Sequence, residues 1–255
     1  MSTGTEQALV AEGLTLSWDG QTLVTRDVSL EVAAGQVVCL VGKSGCGKTT
    51  ILHALAGLTT PVAGRVLLHG KDVTGKPGSV SYMLQKDLLL PHLTIMDNAC
   101  LPLVIAGRSK EEALAQAAPL FARFGLEGTE RSWPSQLSGG MRQRAAFMRT
   151  YLMGNDVVLL DEPFSALDAI TRGEMRSWYC DMSHELGLAS VVITHDVDEA
   201  VLMADRIYVL VGAPAAGVPT TIGSVVTPER PAAGDFSLTE EYLVAKRAVL
   251  AALDR

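Results

Sequence analysis

An α/β fold arranged around a parallel sheet is what this sequence predicts, and three observations carry the prediction. The apolar run at residues 36–41 leads into a glycine-rich loop and then a helical pattern at 48–57, a strand–loop–helix unit. Residues 157–160 and 191–194 are continuously apolar, as strands are when both faces of their sheet are covered. Between those two runs, residues 169–186 have the helical spacing of a crossover connection.

The remaining elements follow in chain order. Alternating apolar residues at 14–17 and 28–32 predict strands of a small antiparallel sheet near the start. Short strands are expected at 64–68 and 80–83. From about residue 86 to 154 the pattern is helical, with 110–124 rich in Ala and Leu at helical spacing. The Pro-, Gly- and Ala-rich stretch 212–234 reads as a loop or weak hairpin. Ser237-x-x-Glu240 reads as a capping box that opens a last helix running to Leu253.

Composition bounds the function. The chain has 255 residues, 48% hydrophobic and 19% charged, enough for one substantial core or one core with a small satellite. A net charge of −7 with no basic run argues against a protein that holds nucleic acid by neutralising phosphates. Cys39, Cys46, Cys100 and Cys180 have neither metal-ligand nor redox-pair spacing, so a reducing compartment is expected. Residues 1–12 lack the basic and apolar regions of a secretory leader. No stretch approaches the roughly 20 apolar residues that span a bilayer, and Asp205 and Arg206 interrupt the most apolar region near the end. Any membrane role is expected to be exercised from outside the lipid.

The motifs carry phosphate chemistry. Gly42, Lys43, Ser44, Gly45, Cys46, Gly47, Lys48 and Thr49 match G-x-x-x-x-G-K-[ST] between a predicted strand and helix, with Thr50 next in the helix. Its glycines let backbone N–H groups turn onto phosphates at a helix N-terminus. Lys48 then gives the β- and γ-phosphates a point charge, and the Thr49 hydroxyl ligates Mg²⁺. The strand at 157–160 ends in Asp161 and Glu162, at the sheet edge where ligands of parallel sheets bind. Asp161 is expected to hold Mg²⁺ through its waters, and Glu162 to act as general base on the attacking water. Ser138, Gly139 and Gly140, at a predicted helix start, form a second anion cradle.

In the order of these motifs, the chain resembles the ATP-binding-cassette (ABC) family over nearly its whole length. The likeness rests on Trp18, the phosphate loop, Gln85, Leu137-Ser138-Gly139-Gly140, the acidic strand, Ser165-Ala166-Leu167-Asp168 and His195. It implies a P-loop NTPase domain at residues 1–235, with a small antiparallel β subdomain and an inserted helical subdomain at about 86–154, then a C-terminal helix at 236–255. It implies ATP and Mg²⁺ as ligands. Trp18 would stack on adenine, and Gln85 would sense the γ-phosphate and Mg²⁺ as both a catalytic residue and a metal ligand. His195 would contact the γ-phosphate and position the water, and Asp168 would act across a dimer interface. Met141 stands where many members have Gln, and Trp18 where Tyr is commoner. Cys46, a permitted variant in the loop, is expected to set its thiol beside the nucleotide.

Residues 85–98, with the Leu137–Arg144 and Asp161–Asp168 segments, are similar to importer motors of the nitrate/sulfonate/taurine and thiamine-precursor branch. The resemblance implies an ATP-hydrolysing subunit of a small-solute importer, on the cytoplasmic face of the membrane. Its expected partners are a second cassette, identical or similar, transmembrane permease subunits and an extracytoplasmic solute-binding protein. The rival is a non-transport cassette acting mechanically on nucleic acid or ribosomes. Such cassettes carry long coiled-coil insertions or two cassettes per chain, and this chain has neither. A small-molecule kinase or GTPase would share the phosphate loop but not Ser138-Gly139-Gly140.

Overall fold

The computed structural model describes residues 7–231 and 234–254; residues 1–6, part of the segment read for a leader, lie outside the described residues. Ten strands form one continuous sheet. In chain order they are β1 (Gln7–Ser17), β2 (Leu23–Ala33), β3 (Val37–Gly42), β4 (Ala63–Leu68), β5 (Lys71–Asp72), β6 (Ser81–Met83), β7 (Val157–Asp161), β8 (Ala189–Thr194), β9 (Arg206–Ala213) and β10 (Val218–Val226). The helices are α1 (Lys48–Leu55), α2 (Ile95–Ile105), α3 (Lys110–Ala117), α4 (Leu120–Arg123), α5 (Gly139–Tyr151), α6 (Ala169–Leu186), α7 (Val197–Met203) and α8 (Glu240–Leu253).

The spatial order is β5-β4-β1-β2-β10-β9-β3-β8-β7-β6. One end, β5-β4-β1-β2, is antiparallel. The other, β9-β3-β8-β7-β6, is parallel. This mixed sheet is the α/β architecture with a small antiparallel extension that the sequence predicts. The parallel strands have side chains in two cores, which explains their unbroken apolar runs. On β3, Val37, Cys39 and Val41 pack with α2–α8, while Val38 and Leu40 pack with α1 and the antiparallel strands. On β7, Val158 and Leu160 take the first side and Val157 and Leu159 the second. Each such buried Val or Leu contributes about 1.5–3 kcal/mol of transfer free energy. Between β6 and β7 the chain builds α2 to α5, whose Phe121, Phe124 and Phe147 are fully buried. Among the described residues, no helix is long and apolar enough to cross a membrane.

Three local expectations need correction, and one open alternative is resolved. The first two strands start earlier than the alternation marks, at Gln7 and Leu23. The helical stretch 110–124 is broken into α3 and α4, because Pro119 has no N–H to continue the ladder and instead stands as the N-cap of α4. Within 212–234, read as a loop or weak hairpin, the hairpin is what forms: β10, nine residues long, pairs antiparallel with β9. Finally, Ser237 and Glu240 form no capping box. Ser237 sits in a 3-10 turn capped by Asp235, and Thr239 caps α8 by accepting from the Tyr242 N–H.

Candidate functional site

All parallel strands run the same way, so β3, β7 and β8 deliver Gly42, Asp161 and Thr194 to one edge of the sheet. The registers Val41↔Thr194 and Asp161↔Ile193 set them side by side. The phosphate loop bridges β3 to α1. Gly45 and Gly47 hold φ of +77° and +93°, and a Cβ on Gly47 would lie 2.6 Å from Val24 Cγ1, so neither tolerates a side chain cheaply. Gly47 is the N-cap of α1 and offers no side-chain acceptor. The first N–H groups of the helix therefore face outward, free for an anion.

Ser44, Gly45, Gly47, Lys48, Thr49 and Thr50 line a cleft of about 270 Å³, with Trp18 and Glu162 on its rim. Trp18 is 57% exposed although large and apolar, so its ring face is available to a ligand. Lys48 is buried, and its ammonium donates to the carbonyls of Gly42 at 2.8 Å and Lys43 at 3.2 Å. These bonds hold the charge inside the loop without neutralising it. The loop is braced from behind by Thr220 on β10, whose hydroxyl donates to the Cys46 carbonyl at 2.5 Å.

Cys46 departs from expectation. Its thiol is buried in the core beneath the loop, against the Gly42 backbone, rather than in the cleft. Burial pushes the thiol pKa up. A Cβ on Gly42 would sit 2.7 Å from that sulfur, so the thiol occupies space that a side chain at 42 would need. Lys43 points away too, lining a separate cavity with the β9–β10 hairpin and Leu253.

The acidic pair splits into two environments. Asp161 is buried and accepts from the Thr49 hydroxyl at 3.1 Å and the Tyr82 hydroxyl at 3.5 Å. Burial raises its carboxyl above the usual range, the Thr49 bond opposes that, and the adjacent Glu162 charge adds to it. Glu162 has left-handed backbone, φ 45°, the sparsely allowed region for a non-glycine residue. That turn swings its side chain back over the sheet edge. One oxygen, Oε2, accepts from Gln85 Nε2 at 3.1 Å and lies 3.2 Å from His195 Nδ1. Both partners converge on the same oxygen, so neither of them engages Oε1, and Glu162 also lines the cleft. Ser165 completes the turn: its hydroxyl donates to the Glu162 carbonyl at 3.0 Å and stands 3.5 Å from Gln85 Nε2.

Tyr82 and Ser165 belong to this site and carry no assigned role in the sequence reading. Nothing in the spacing marks Tyr82. Only the pairing of β6 with β7 sets it beside the acidic strand. Ser165 lies within a recognised motif, but its contact with the Glu162 turn is made by tertiary structure alone.

Ser138, Gly139, Gly140 and Asp168 are not part of this cleft. Ser138 caps α5, its hydroxyl accepting from the Met141 N–H at 3.3 Å. Asp168 caps α6, and the Thr171 hydroxyl holds its carboxyl below the usual range. A methyl on Gly139 would meet Leu167 Cδ2 at 3.2 Å, and one on Gly140 would meet Thr171 Cγ2 at 3.1 Å. The glycines thus let the starts of α5 and α6 approach closely, and they leave a second set of helix N–H groups.

The residues present fit a polyphosphate and a hard cation. The loop offers outward N–H groups, a buried ammonium and no side chain in the way. Thr49, Asp161 and Gln85 supply only oxygen ligands, the donor set Mg²⁺ prefers. Among the described residues no cluster of three or more His, Cys, Asp or Glu could hold a metal alone. A hard cation held by these three residues would complete its shell with oxygens from outside the chain, as Mg²⁺ commonly does.

Comparison with known proteins agrees. The family model described as ABC transporter matches residues 25–165. A formylaminopyrimidine import ATP-binding protein of Halalkalibacterium halodurans is 39% identical, over 83% of this chain and 83% of its own length. A taurine import ATP-binding protein of Pseudomonas aeruginosa is 40% identical, over 81% of this chain and 80% of its own. Among solved structures, the dimeric post-hydrolysis state of an ATP-binding cassette bound to ADP and Pi superposes with a TM-score of 0.70. It is 26% identical, covering 86% of this chain and 98% of that one.

Proposed function

The chain belongs to the ABC transporter family, and from that membership we propose that it binds and hydrolyses ATP to energise import of a small solute through a membrane permease. The observation that carries the catalytic half is the placement of Glu162. Its Oε2 is engaged by Gln85 and His195, and the residue lines a cleft walled by the phosphate loop.

In this reading Trp18 stacks on the adenine, and the loop N–H groups with Lys48 receive the phosphates. Thr49, Asp161 and Gln85 hold Mg²⁺, which when bound neutralises charge on the β- and γ-phosphate oxygens. With Nε2 given to Glu162, Gln85 keeps Oε1 as its acceptor for the cation. Glu162 Oε1 takes the proton of the attacking water. His195 fixes the orientation of that carboxylate and stands where it meets the γ-phosphate. Ser138, Gly139 and Gly140 serve the nucleotide of a second cassette, with Asp168 beside them, so two chains arranged head to tail complete two sites. The division into a domain at 1–235, its helical subdomain at 86–154 and the last helix at 236–255 belongs to the same proposal. So do the solute-binding partner and the peripheral position on the cytoplasmic face of the inner membrane.

The test is co-expression with candidate permease subunits, reconstitution in vesicles and measurement of solute uptake. ATP-dependent uptake that stops with Glu162→Gln is expected. An ATPase that joins no membrane subunit and is stimulated by nucleic acid would overturn the import reading.

A further inference from the structure

The start of α5 at Ser138–Gly140 and the turn that carries His195 belong to different elements of the fold. The first turn of α6 lies between them. Leu167 and Thr171 pack on Gly139 and Gly140. From the same turn Arg172 reaches both ways. Its Nη2 donates to the Leu167 carbonyl at 2.9 Å, and its Nη1 lies 3.5 Å from Asp196 Oδ2. Asp196 is the N-cap of α7, its Oδ1 accepting from the Glu199 N–H at 3.1 Å while its own N–H donates to the Thr194 hydroxyl at 3.0 Å. His195 lies between these two anchored residues.

Two buried atoms add direction. Arg172 Nε and Glu199 Oε1 have no hydrogen-bond partner among the described residues. One is a donor and the other an acceptor, on the two elements that Arg172 joins.

We propose that Arg172 is a positioning residue that couples the Ser138–Gly140 and Leu167 contact region to His195 through Asp196. The proposal rests on the reading of His195 and Glu162 as hydrolytic residues and adds an intrasubunit relay between the two half-sites of one chain. A cassette that engages a second nucleotide at Ser138–Gly140 thereby sets the geometry of its own His195.

The test uses the full chain with ATP. Asp196→Asn keeps the cap acceptor for the Glu199 N–H but loses the charge facing Arg172. Arg172→Gln removes the fork. Each is expected to lower kcat about tenfold while changing KM for ATP less than about twofold, the pattern of an interaction that matters only in the transition state. The double variant should be no slower than the slower single, because both lesions cut one path. A merely structural role would lower the melting temperature and the active fraction, leaving kcat per titrated active site unchanged. Effects that multiply in the double variant, or unchanged kcat in both singles, overturn the proposal. His195→Ala is run in parallel. If it hydrolyses ATP normally, the hydrolytic reading itself has failed; if it is inactive while Arg172→Gln is not, only the relay has.

Discussion

Glu162→Gln separates binding from chemistry in this site more cleanly than any other change. Gln85 Nε2 and His195 Nδ1 both address Oε2, at 3.1 and 3.2 Å. A glutamine whose carbonyl oxygen takes the Oε2 position keeps both contacts, and its NH₂ then occupies the place of Oε1. The side chain stays in the same turn, and φ of 45° is equally strained for Glu and Gln. Fold and cleft therefore survive, and only the proton acceptor is lost. General base catalysis is worth about 10²–10⁴ in rate, equivalent to about 3–5 kcal/mol of barrier at 1.36 kcal/mol per tenfold. Nucleotide binding should not suffer. The Glu162 charge is one cause of the raised Asp161 carboxyl, so removing it lets Asp161 ionise more readily and favours the cation. The assay pairs single-turnover phosphate release with equilibrium binding of ATP in the presence of Mg²⁺. Hydrolysis within about threefold of wild type, with binding intact, would refute the assignment of Glu162 as base.

Trp18→Ala should weaken ATP binding by about 1–3 kcal/mol, the range for base–aromatic stacking, while Trp18→Tyr should be mild; ATP titration of Trp18 fluorescence, with Trp133 and Trp178 replaced, reads it directly. Glu199 has its carboxyl raised from 4.5 to about 7, chiefly by burial. A buried acid whose folded pKa lies above its unfolded one binds more protons when folded, so the protein loses stability as pH rises from 4.5 to 7. Glu199→Gln should thus melt higher than wild type above that window, with the gap shrinking below it; a gap independent of pH would contradict the buried-acid account. Lys48→Ala and Ser138→Arg subunits should each be inactive alone, and their mixture should regain partial hydrolysis from the one composite site free of both lesions. A demonstrated monomer with concentration-independent activity would rule out sites shared between chains.

What was legible in the sequence was whatever depends on local covalent order. Gly45 and Gly47 had to be glycines for the loop to turn, and Lys48 and Thr49 follow them in the first helical turn, so the phosphate loop could be read without a fold. The unbroken apolar runs of β7 and β8 likewise announced strands covered on both faces, and the helix between them fell on residues 169–186 as read. Less was legible where pairing overrides composition. The stretch that reads as a loop or weak hairpin becomes a strand because β10 pairs with β9 through two register shifts, a gain invisible in local propensity. The direction of the Cys46 side chain was undetermined for a similar reason: its place between two glycines says nothing about which side of the loop is core.

The acidic pair marks the division. Sequence alone put Asp161 and Glu162 at the end of a buried strand and so near the phosphate loop. Only the tertiary structure decided that adjacent carboxylates would face different surroundings. Asp161 continues the β7 ladder and is drawn into the interior against Thr49 and Tyr82. Glu162 leaves it through a left-handed turn held by Ser165 and is met by Gln85 from the end of β6 and His195 from the end of β8. Those partners lie 77 residues before it, in the case of Gln85, and beyond α6 for His195. No local rule links them. The parallel sheet does, because strands that run the same way must all end on one edge, and residues distant in the chain are neighbours there.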